Sequence, residues 1–174
     1  MNDIIMLAMM LDGPKHGYQL KYEAGVIFGQ EALHNNLVYP LLRRFLEEGW
    51  VSQREVAGQR GQTRLQYSLT GAGRRALLDR LSQFGEAEAS SETAFRTRVA
   101  LFDLVAADVR ESILTRRETY LRSRKQRLGG IATQMKLGKF GFEVVNHLRQ
   151  QMELELQWIQ HLRRLARAKR AKSA

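Results

Sequence analysis

Catalysis needs nucleophiles, acid–base groups or metal ligands, and this sequence offers few of them. It has no cysteine and only four histidines, His16, His34, His147 and His161. On one helix, His147 and His161 would be about 21 Å apart, which is too far for them to share a metal ion. No carboxylate pair, glycine-rich phosphate loop or Ser-His-Asp grouping stands out. The sequence therefore predicts no catalytic site, no metal and no cofactor, and we expect that the protein is not an enzyme.

Recognition of an anionic partner is the chemistry that the composition favours. The 174 residues include 28 Lys and Arg against 18 Asp and Glu, a formal net charge of +10. Such an excess is typical of proteins that bind nucleic acid or a membrane surface. However, residues 1–90 hold ten bases and ten acids, whereas residues 91–174 hold 18 bases and eight acids. The whole excess thus lies in the second half, and much of it lies in a basic cluster at residues 163–172.

The sequence argues against a membrane partner. Its longest apolar run, Ile4 to Leu11, has eight residues, whereas a membrane-spanning helix needs roughly 20. The residues before this run lack the basic flank of a secretory signal. We therefore expect a soluble, cytoplasmic protein.

Apolar periodicity predicts the helices and strands that position the basic residues in the first half of the sequence. Helices are expected near residues 4–11, from about His16 to Phe28, and from an N-cap at Asn35 to a stop at Gly49. Two strands, residues 50–57 and 64–69, flank a basic turn and form a hairpin. Thr70 can cap the helix that follows.

The second half predicts long helices. Residues 85–93 are small and polar, which indicates a linker or a frayed helix end. Helices are then expected near residues 95–104, over residues 107–128 with a continuation to 137 left open, and over residues 142–168. The last helix carries an apolar stripe of Phe142, Val145, Leu148, Met152, Leu156, Ile159 and Leu162. A helix of about 40 Å outreaches so small a domain, so we expect a second copy of the chain to cover the stripe.

Three helices and a hairpin with a basic tip make a winged helix-turn-helix. The predicted fold class is mainly α with a small β-hairpin, a winged helix-turn-helix followed by a helical dimerisation region. We place the DNA-binding domain at residues 1–88 and the dimerisation region at residues 89–174. In such a domain the third helix enters the major groove, and the hairpin tip reaches flanking phosphates or the minor groove.

Three motifs in register resemble the PadR family of transcriptional regulators. They are Gly13-Pro14-x-His16-Gly17-Tyr18, the run from Val38-Tyr39-Pro40 to Trp50-Val51, and Arg64-x-x-Tyr67-x-Leu69-Thr70-x-x-Gly73. The resemblance covers residues 4 to about 80. It implies a dimeric repressor or activator that binds a two-fold DNA site. Asn35-Asn36-Leu37 and the wing sequence Arg64-Leu65-Gln66-Tyr67 depart from the family's usual pattern, which puts the base preference and the packing of the wing in question.

The resemblance also implies that some relatives bind small aromatic or cationic molecules. In this chain six aromatic residues could line a pocket for such an effector, and ordinary core packing is the alternative for each of them. These residues are Trp50, Phe95, Phe102, Tyr120, Phe142 and Trp158.

The residue types on the second helix, third helix and wing identify candidates for DNA contact. Arg43 follows Tyr39 by one helical turn and shares its face. Structural roles are the alternatives: Tyr39 could seal the third helix to the core, Asn35 could only cap it, and His16 could be a structural histidine. The full candidate set is His16, Tyr18, Asn35, Asn36, Val38, Tyr39, Arg43, Arg60, Gln62 and Arg64.

The sequence therefore predicts a homodimeric repressor on an inverted-repeat operator of double-stranded DNA, with relief by a small aromatic or cationic effector left open. One alternative is a ligand-binding or adaptor dimer without specific DNA binding, which the neutral first half favours. Another is binding to RNA or a membrane surface through the basic C-terminal residues.

Overall fold

The computed structural model of the chain describes residues 1–28, 35–57, 63–134 and 137–171, with backbone alone at residues 24, 27, 28, 35, 36, 133, 134 and 167–171. The elements in chain order are α1 Asn2–Ala8, β1 Lys15–His16, α2 Gly17–Phe28, α3 Asn35–Glu47, β2 Val51–Ala57, β3 Thr63–Leu69, α4 Gly71–Ser82, α5 Glu86–Ser90, α6 Glu92–Ala100, α7 Ala107–Gln134 and α8 Lys139–Ala171. The described chain is mainly helical with one small sheet, so the predicted fold class of a winged helix followed by a helical region is confirmed.

Two compact units divide the chain. The first unit comprises residues 1–83 and 96–105, and the second comprises residues 84–95 and 106–174. The sequence-based division at residue 88 into DNA-binding and dimerisation regions is a functional assignment, and it stays a prediction.

The first unit contains the winged helix. Its sheet is antiparallel in the order β1-β3-β2, with Val51 opposite Leu69 and Ala57 opposite Thr63. The predicted hairpin is thus present, but β1 adds a third strand in which Lys15 lies opposite Tyr67. The sequence pattern does not predict β1, because two residues are too few for an alternation of apolar and polar positions. Helices α1 to α4 supply a core that includes Ile5, Leu20, Phe45 and Leu77, each fully buried.

The end of α3 sets the start of the wing. Gly49 has a φ of +68°, a left-handed conformation that glycine adopts without strain. The Trp50 N–H then donates to the Phe45 carbonyl at 2.8 Å, and the Gly49 N–H donates to Leu46 at 3.1 Å. These two bonds are the Schellman pattern of a helix end, and the predicted stop at Gly49 is confirmed.

Thr70 joins the wing to α4. Its hydroxyl oxygen accepts the Gly73 N–H at 3.0 Å, as expected of the predicted N-cap, and the hydroxyl donates to the Gly49 carbonyl at 2.7 Å. Gly73 lies so close to the residue before β2 that a Cβ added there would be 2.0 Å from the Trp50 carbonyl oxygen. The cap therefore holds both ends of the hairpin against the first turn of α4.

The second unit is built on the pair α7 and α8. The prediction of a linker or frayed helix end at residues 85–93 is wrong, since α5 forms there and α6 begins at Glu92. The Gly85 N–H donates to the Glu88 carboxylate at 3.0 Å, and Ala89 is buried. A capping side chain and one buried position thus outweigh the polar composition of this short segment. α8 extends beyond the predicted 142–168 at both ends.

Arg117 of α7 links α5 and α8 inside the second unit. It is buried, forms a two-pronged salt bridge with Glu155 of α8 at 2.8 and 2.9 Å, and donates to the Ala89 carbonyl at 2.6 Å. Its guanidinium also lies 5.5 Å from the ring centres of both Phe95 and Tyr120. A buried charge needs this complete set of partners, because its desolvation would otherwise be costly.

Candidate nucleic-acid interface

An open cleft of about 610 Å³ lies on the first unit. Four of the predicted DNA-contacting residues line it together, although they come from separate elements. The lining is His16, Gly17, Tyr18, Tyr39, Arg64, Leu65 and Tyr67. The fold thus brings the start of α2, the exposed face of α3 and strand β3 to one surface.

His16 connects the start of α2 to the wing. Its backbone N–H donates to the Gln19 side chain at 2.9 Å, and its ring Nδ1 lies 2.9 Å from the Leu65 carbonyl oxygen. Because a carbonyl oxygen only accepts, Nδ1 carries the proton in this bond. The imidazole also stacks on Tyr18, with ring centres 5.7 Å apart and planes 7° from parallel. His16 therefore has the structural role that was the alternative for it, while lying in the cleft.

Tyr39 presents its ring to the cleft and is 60% exposed. It does not seal α3 to the core, which was the structural alternative for this residue. The ring lies against Gly17, where an added Cβ would be 3.1 Å from the Tyr39 Cε1. Burial raises the pKa of Tyr67, and the nearby Tyr39 raises it further. The Tyr67 hydroxyl therefore stays neutral and able to donate at the wall of the cleft.

The other predicted contact residues fall into three groups. Arg43 and Arg64 are exposed. Val38 is 1% exposed and packs in the core, so its side chain is not part of this surface. The side chains of Asn35 and Asn36, as well as Arg60 and Gln62, lie outside the described residues. The sequence did not identify Gly17, Leu65 and Tyr67 as cleft residues, because only the tertiary structure brings them to the same cleft as Tyr39.

Arg44 has an electrostatic partner that sequence spacing cannot reveal. Asp3 of α1 accepts a hydrogen bond from Arg44 at 2.5 Å and another from Arg80 at 3.0 Å. The pairing of Arg44 with Glu48 that spacing favours is present but longer, at 3.8 Å. Burial by itself raises the pKa of Asp3, but hydrogen bonds and charge from the two arginines lower it by more, so the net pKa lies below its ordinary value. The charge of Arg44 is thereby compensated, whereas Arg43, the other basic residue of α3, forms no ion pair with the residues that the structure describes.

The residues of the predicted dimerisation stripe differ in how deeply they are buried within the second unit. Met152, Leu156 and Ile159 are buried within the chain, whereas Phe142 is exposed. Val145, Leu148 and Leu162 are half-buried. α8 packs against α7, and Glu118 and Glu111 of α7 both form ion pairs with Arg163. Part of the stripe is therefore already covered inside one protomer.

The predicted effector-pocket aromatics Phe95, Trp158 and Trp50 take part in packing contacts. Phe95 is fully buried and meets Trp158 edge-on, with ring centres 5.7 Å apart. Trp50 lies under the Arg80 guanidinium at 4.4 Å. These contacts favour the core-packing interpretation for these residues, and an effector pocket stays a prediction.

The described residues hold neither a candidate metal site nor a helix that could span a membrane. Within residues 1–28, 35–57, 63–134 and 137–171, no three His, Asp or Glu side chains are grouped so that they could hold a metal ion. None of the helices described there has both the length and the apolar character to cross a membrane.

The chain resembles known regulators over its first half. Residues 6–79 match the family described as transcriptional regulator PadR-like. A comparison with curated proteins gives no match.

Three solved structures illustrate the structural similarity. A candidate transcriptional regulator from Thermoplasma acidophilum is 28% identical, with 45% of this chain and 74% of that one covered and a TM-score of 0.42. Bacillus subtilis PadR in complex with operator DNA is 16% identical, with 94% and 98% covered and a TM-score of 0.47. The same protein in complex with p-coumaric acid is 15% identical, with 94% of both chains covered and a TM-score of 0.42. The resemblance that the three motifs predicted is confirmed by the family match, and residues 6–79 of this chain form a PadR-like region.

Proposed function

We propose that the protein is a homodimeric transcriptional repressor that binds an inverted-repeat operator in double-stranded DNA. The observation that carries the proposal is the cleft, which gathers His16, Tyr18, Tyr39 and Arg64 on one surface. Arg43 is also exposed and follows Tyr39 by one turn of α3. Aromatic hydroxyls and guanidinium groups on one face of a winged helix are suited to DNA phosphates and base edges. The PadR-like match over residues 6–79 supports the same conclusion.

In this mechanism α3 enters the major groove. Arg43 binds a guanine edge or a phosphate, and the Tyr39 hydroxyl binds a phosphate. The wing, with Arg64 and the sequence-predicted Arg60 and Gln62, contacts the flanking backbone. Two copies joined through α8 set the half-sites about one or two helical turns apart. Occupancy of the operator excludes RNA polymerase.

A small-molecule effector would act by shifting the dimer between two separations of the wings. Bacillus subtilis PadR has been solved with p-coumaric acid, so small aromatic acids are the first compounds to test. An effector should reduce operator binding without unfolding the protein.

Electrophoretic mobility shift with the DNA upstream of the protein's own gene tests the proposal. Arg43→Ala should weaken operator binding about tenfold or more, since a good base or phosphate contact contributes about 1–3 kcal/mol. Arg75→Ala removes an arginine of α4 that is also exposed and does not line the cleft, and it serves as the matched control. Absence of any salt-sensitive binding would exclude the function, and normal binding by Arg43→Ala would exclude this face of α3.

The alternative of a ligand-binding or adaptor dimer is favoured by one observation, the equal numbers of acids and bases in residues 1–90. It predicts weak DNA affinity that does not depend on sequence. Competition with unrelated DNA separates the two, because a repressor keeps its operator complex in a large excess of competitor.

A further inference from the structure

α7 carries compensated charges on the side that packs against α8. Two of its carboxylates, Glu111 and Glu118, form ion pairs with Arg163 of α8. Lys125 of α7 pairs in the same way with Glu153 of α8. The acids and bases on this side of the helix therefore neutralise each other within the second unit.

A different face of α7 is basic. Arg116, Ser123 and Arg127 follow each other at steps of seven and four residues, so at 100° per residue they lie within about 40° of one another. Arg124 flanks them on one side. We call these four residues the α7 arginine stripe. It is about 16 Å long, and it lies about 150° or more around the helix from the two carboxylates that pair with α8.

The arginines of the stripe face water without a compensating charge. All three are exposed, and none of them forms an ion pair within the part of the chain that the structure describes. Arg127 donates to the Ser123 hydroxyl at 2.8 Å, which holds its guanidinium along the stripe. The remaining carboxylate of α7, Asp108, lies in the first turn, about 12 Å before Arg116 along the helix axis.

We propose that the α7 arginine stripe binds the phosphate backbone of duplex DNA as a second contact surface that does not read sequence. The stripe lies in the second unit, whereas the cleft lies on the first, so the proposal goes beyond the proposed function. Guanidinium and hydroxyl groups are typical donors to DNA phosphates. Because B-DNA carries one negative charge per about 1.7 Å of its axis, a 16 Å length offers more phosphates than three arginines need.

The apolar side of α7 argues against a membrane surface as the partner. A helix that lies on a membrane buries large apolar residues opposite its basic face. In α7 the residues on that side include Leu114 and Leu121, which are each 1% exposed and already packed within the chain. The stripe itself offers charge and hydroxyl groups, which suit phosphates rather than acyl chains.

The salt dependence of binding to random-sequence duplex DNA tests the stripe in the full-length chain. Arg116→Gln/Arg127→Gln should lower the slope of log K against log salt by about 1.8 per chain, since each neutralised phosphate contributes about 0.9. Arg116→Lys/Arg127→Lys should keep most of the slope, because counterion release depends on charge. Fluorescence anisotropy between 50 and 200 mM salt measures the slope, and circular dichroism confirms the helical content.

Arg149→Gln/Arg164→Gln is the matched control. Both arginines are exposed on α8, and neither forms an ion pair with the described residues. The control removes the same charge from the same unit but leaves the stripe intact, so it should change the slope much less.

Four outcomes would overturn the proposal. They are a parent chain that does not bind random DNA, an unchanged slope in the glutamine variant of the stripe, equal loss in the control, and loss of binding to anionic vesicles or polyglutamate while DNA binding is unchanged. The last outcome would assign the stripe to a membrane or an acidic protein. If the parent still binds operator DNA in excess competitor and Arg43→Ala weakens that complex, the proposed function stands in each case.

Discussion

At the residue scale, the candidate interface depends on the contact between Gly17 and the ring of Tyr39, which sets the orientation of that ring. Tyr39 lies against Gly17, the first residue of α2, and a Cβ there would be 3.1 Å from the ring. Such a contact is tighter than normal packing, so a methyl group at this position must displace the ring. Glycine at position 17 therefore positions Tyr39 for a ligand in the cleft.

Gly17→Ala should reduce operator affinity about three- to tenfold without lowering the free energy of unfolding, since alanine is the better helix former. Gly25→Ala is the matched control, because it lies in the same helix with no atom within 4 Å of its added Cβ. Fluorescence anisotropy with labelled operator and urea unfolding give the two quantities. If Gly17→Ala and Gly25→Ala bind the operator equally well, Gly17 does not position Tyr39.

The Asp3 carboxylate illustrates residue-scale electrostatics. Its net pKa is lowered, because hydrogen bonds from Arg44 and Arg80 outweigh the effect of burial. A carboxylate with a lowered folded-state pKa stabilises the protein above its unfolded-state pKa, and this contribution is lost as the pH falls through the folded-state value.

Asp3→Asn should therefore lower the free energy of unfolding by about 1–2 kcal/mol at pH 7. The difference from the parent should begin to shrink as the pH falls below about 4, the ordinary carboxyl pKa that holds in the unfolded chain. It should vanish only below the lowered pKa of the folded state. Urea unfolding at pH 7, 5 and 3 measures it. A difference that stays constant over this range would show that the ionised carboxylate is not its source.

At the scale of elements, the winged helix depends on close approach between α4 and Trp50, the residue that precedes β2. Gly73 lies in the first turn of α4, where helix propensity alone would favour alanine. The Trp50 carbonyl occupies the space of a side chain, 2.0 Å from an added Cβ, and the Leu69 side chain is 2.8 Å away. Since a backbone carbonyl cannot rotate aside, the helix would have to move away from the strand.

Gly73→Ala should destabilise the protein by about 3 kcal/mol through overpacking. Gly71→Ala, two residues earlier, meets only the end of the Arg75 side chain at 3.8 Å and should be neutral or slightly stabilising. Thermal and urea unfolding compare the two variants. Equal stability of both would mean that α4 can shift without cost.

At the scale of the whole molecule, the excess positive charge lies in a different part of the sequence from the candidate interface. The first 90 residues are formally neutral, and the excess of +10 lies in the rest. In α8, Arg163 is compensated by Glu111 and Glu118, whereas the sequence after Ala166 adds Arg167, Lys169, Arg170 and Lys172. We expect these four bases to increase DNA affinity regardless of sequence, because counterion release depends only on phosphates.

Removal of residues 167–174 should therefore weaken binding to random DNA more than binding to the operator and reduce the salt dependence of both. The truncation keeps Arg163 and the predicted apolar stripe of α8 from Phe142 to Leu162, so the proposed dimer should persist. Binding isotherms between 50 and 200 mM salt measure the effect. Loss of all operator binding would favour the alternative of RNA or membrane-surface binding through the basic C-terminal residues.

Local patterns account for most of the predicted elements. The periodicity of α3, the helix stop at Gly49 and the Thr70 cap involve residues within a few positions of each other, where steric and hydrogen-bond preferences act directly. The two-residue β1 and the five-residue α5 could not be predicted in this way. Their formation depends on pairing with β3 and on the burial of Ala89.

By itself, the sequence determined the fold class and the PadR-like region, because both follow from local periodicity and motif spacing. Only the tertiary structure decided which side chains share a surface. It placed Val38 in the core and Tyr39 in the cleft, paired Arg44 with Asp3 across 41 residues, and covered part of the predicted stripe of α8 while leaving Phe142 exposed. The reason is physical: a helix can carry an apolar stripe, and which of its residues are buried depends on the element that packs against them.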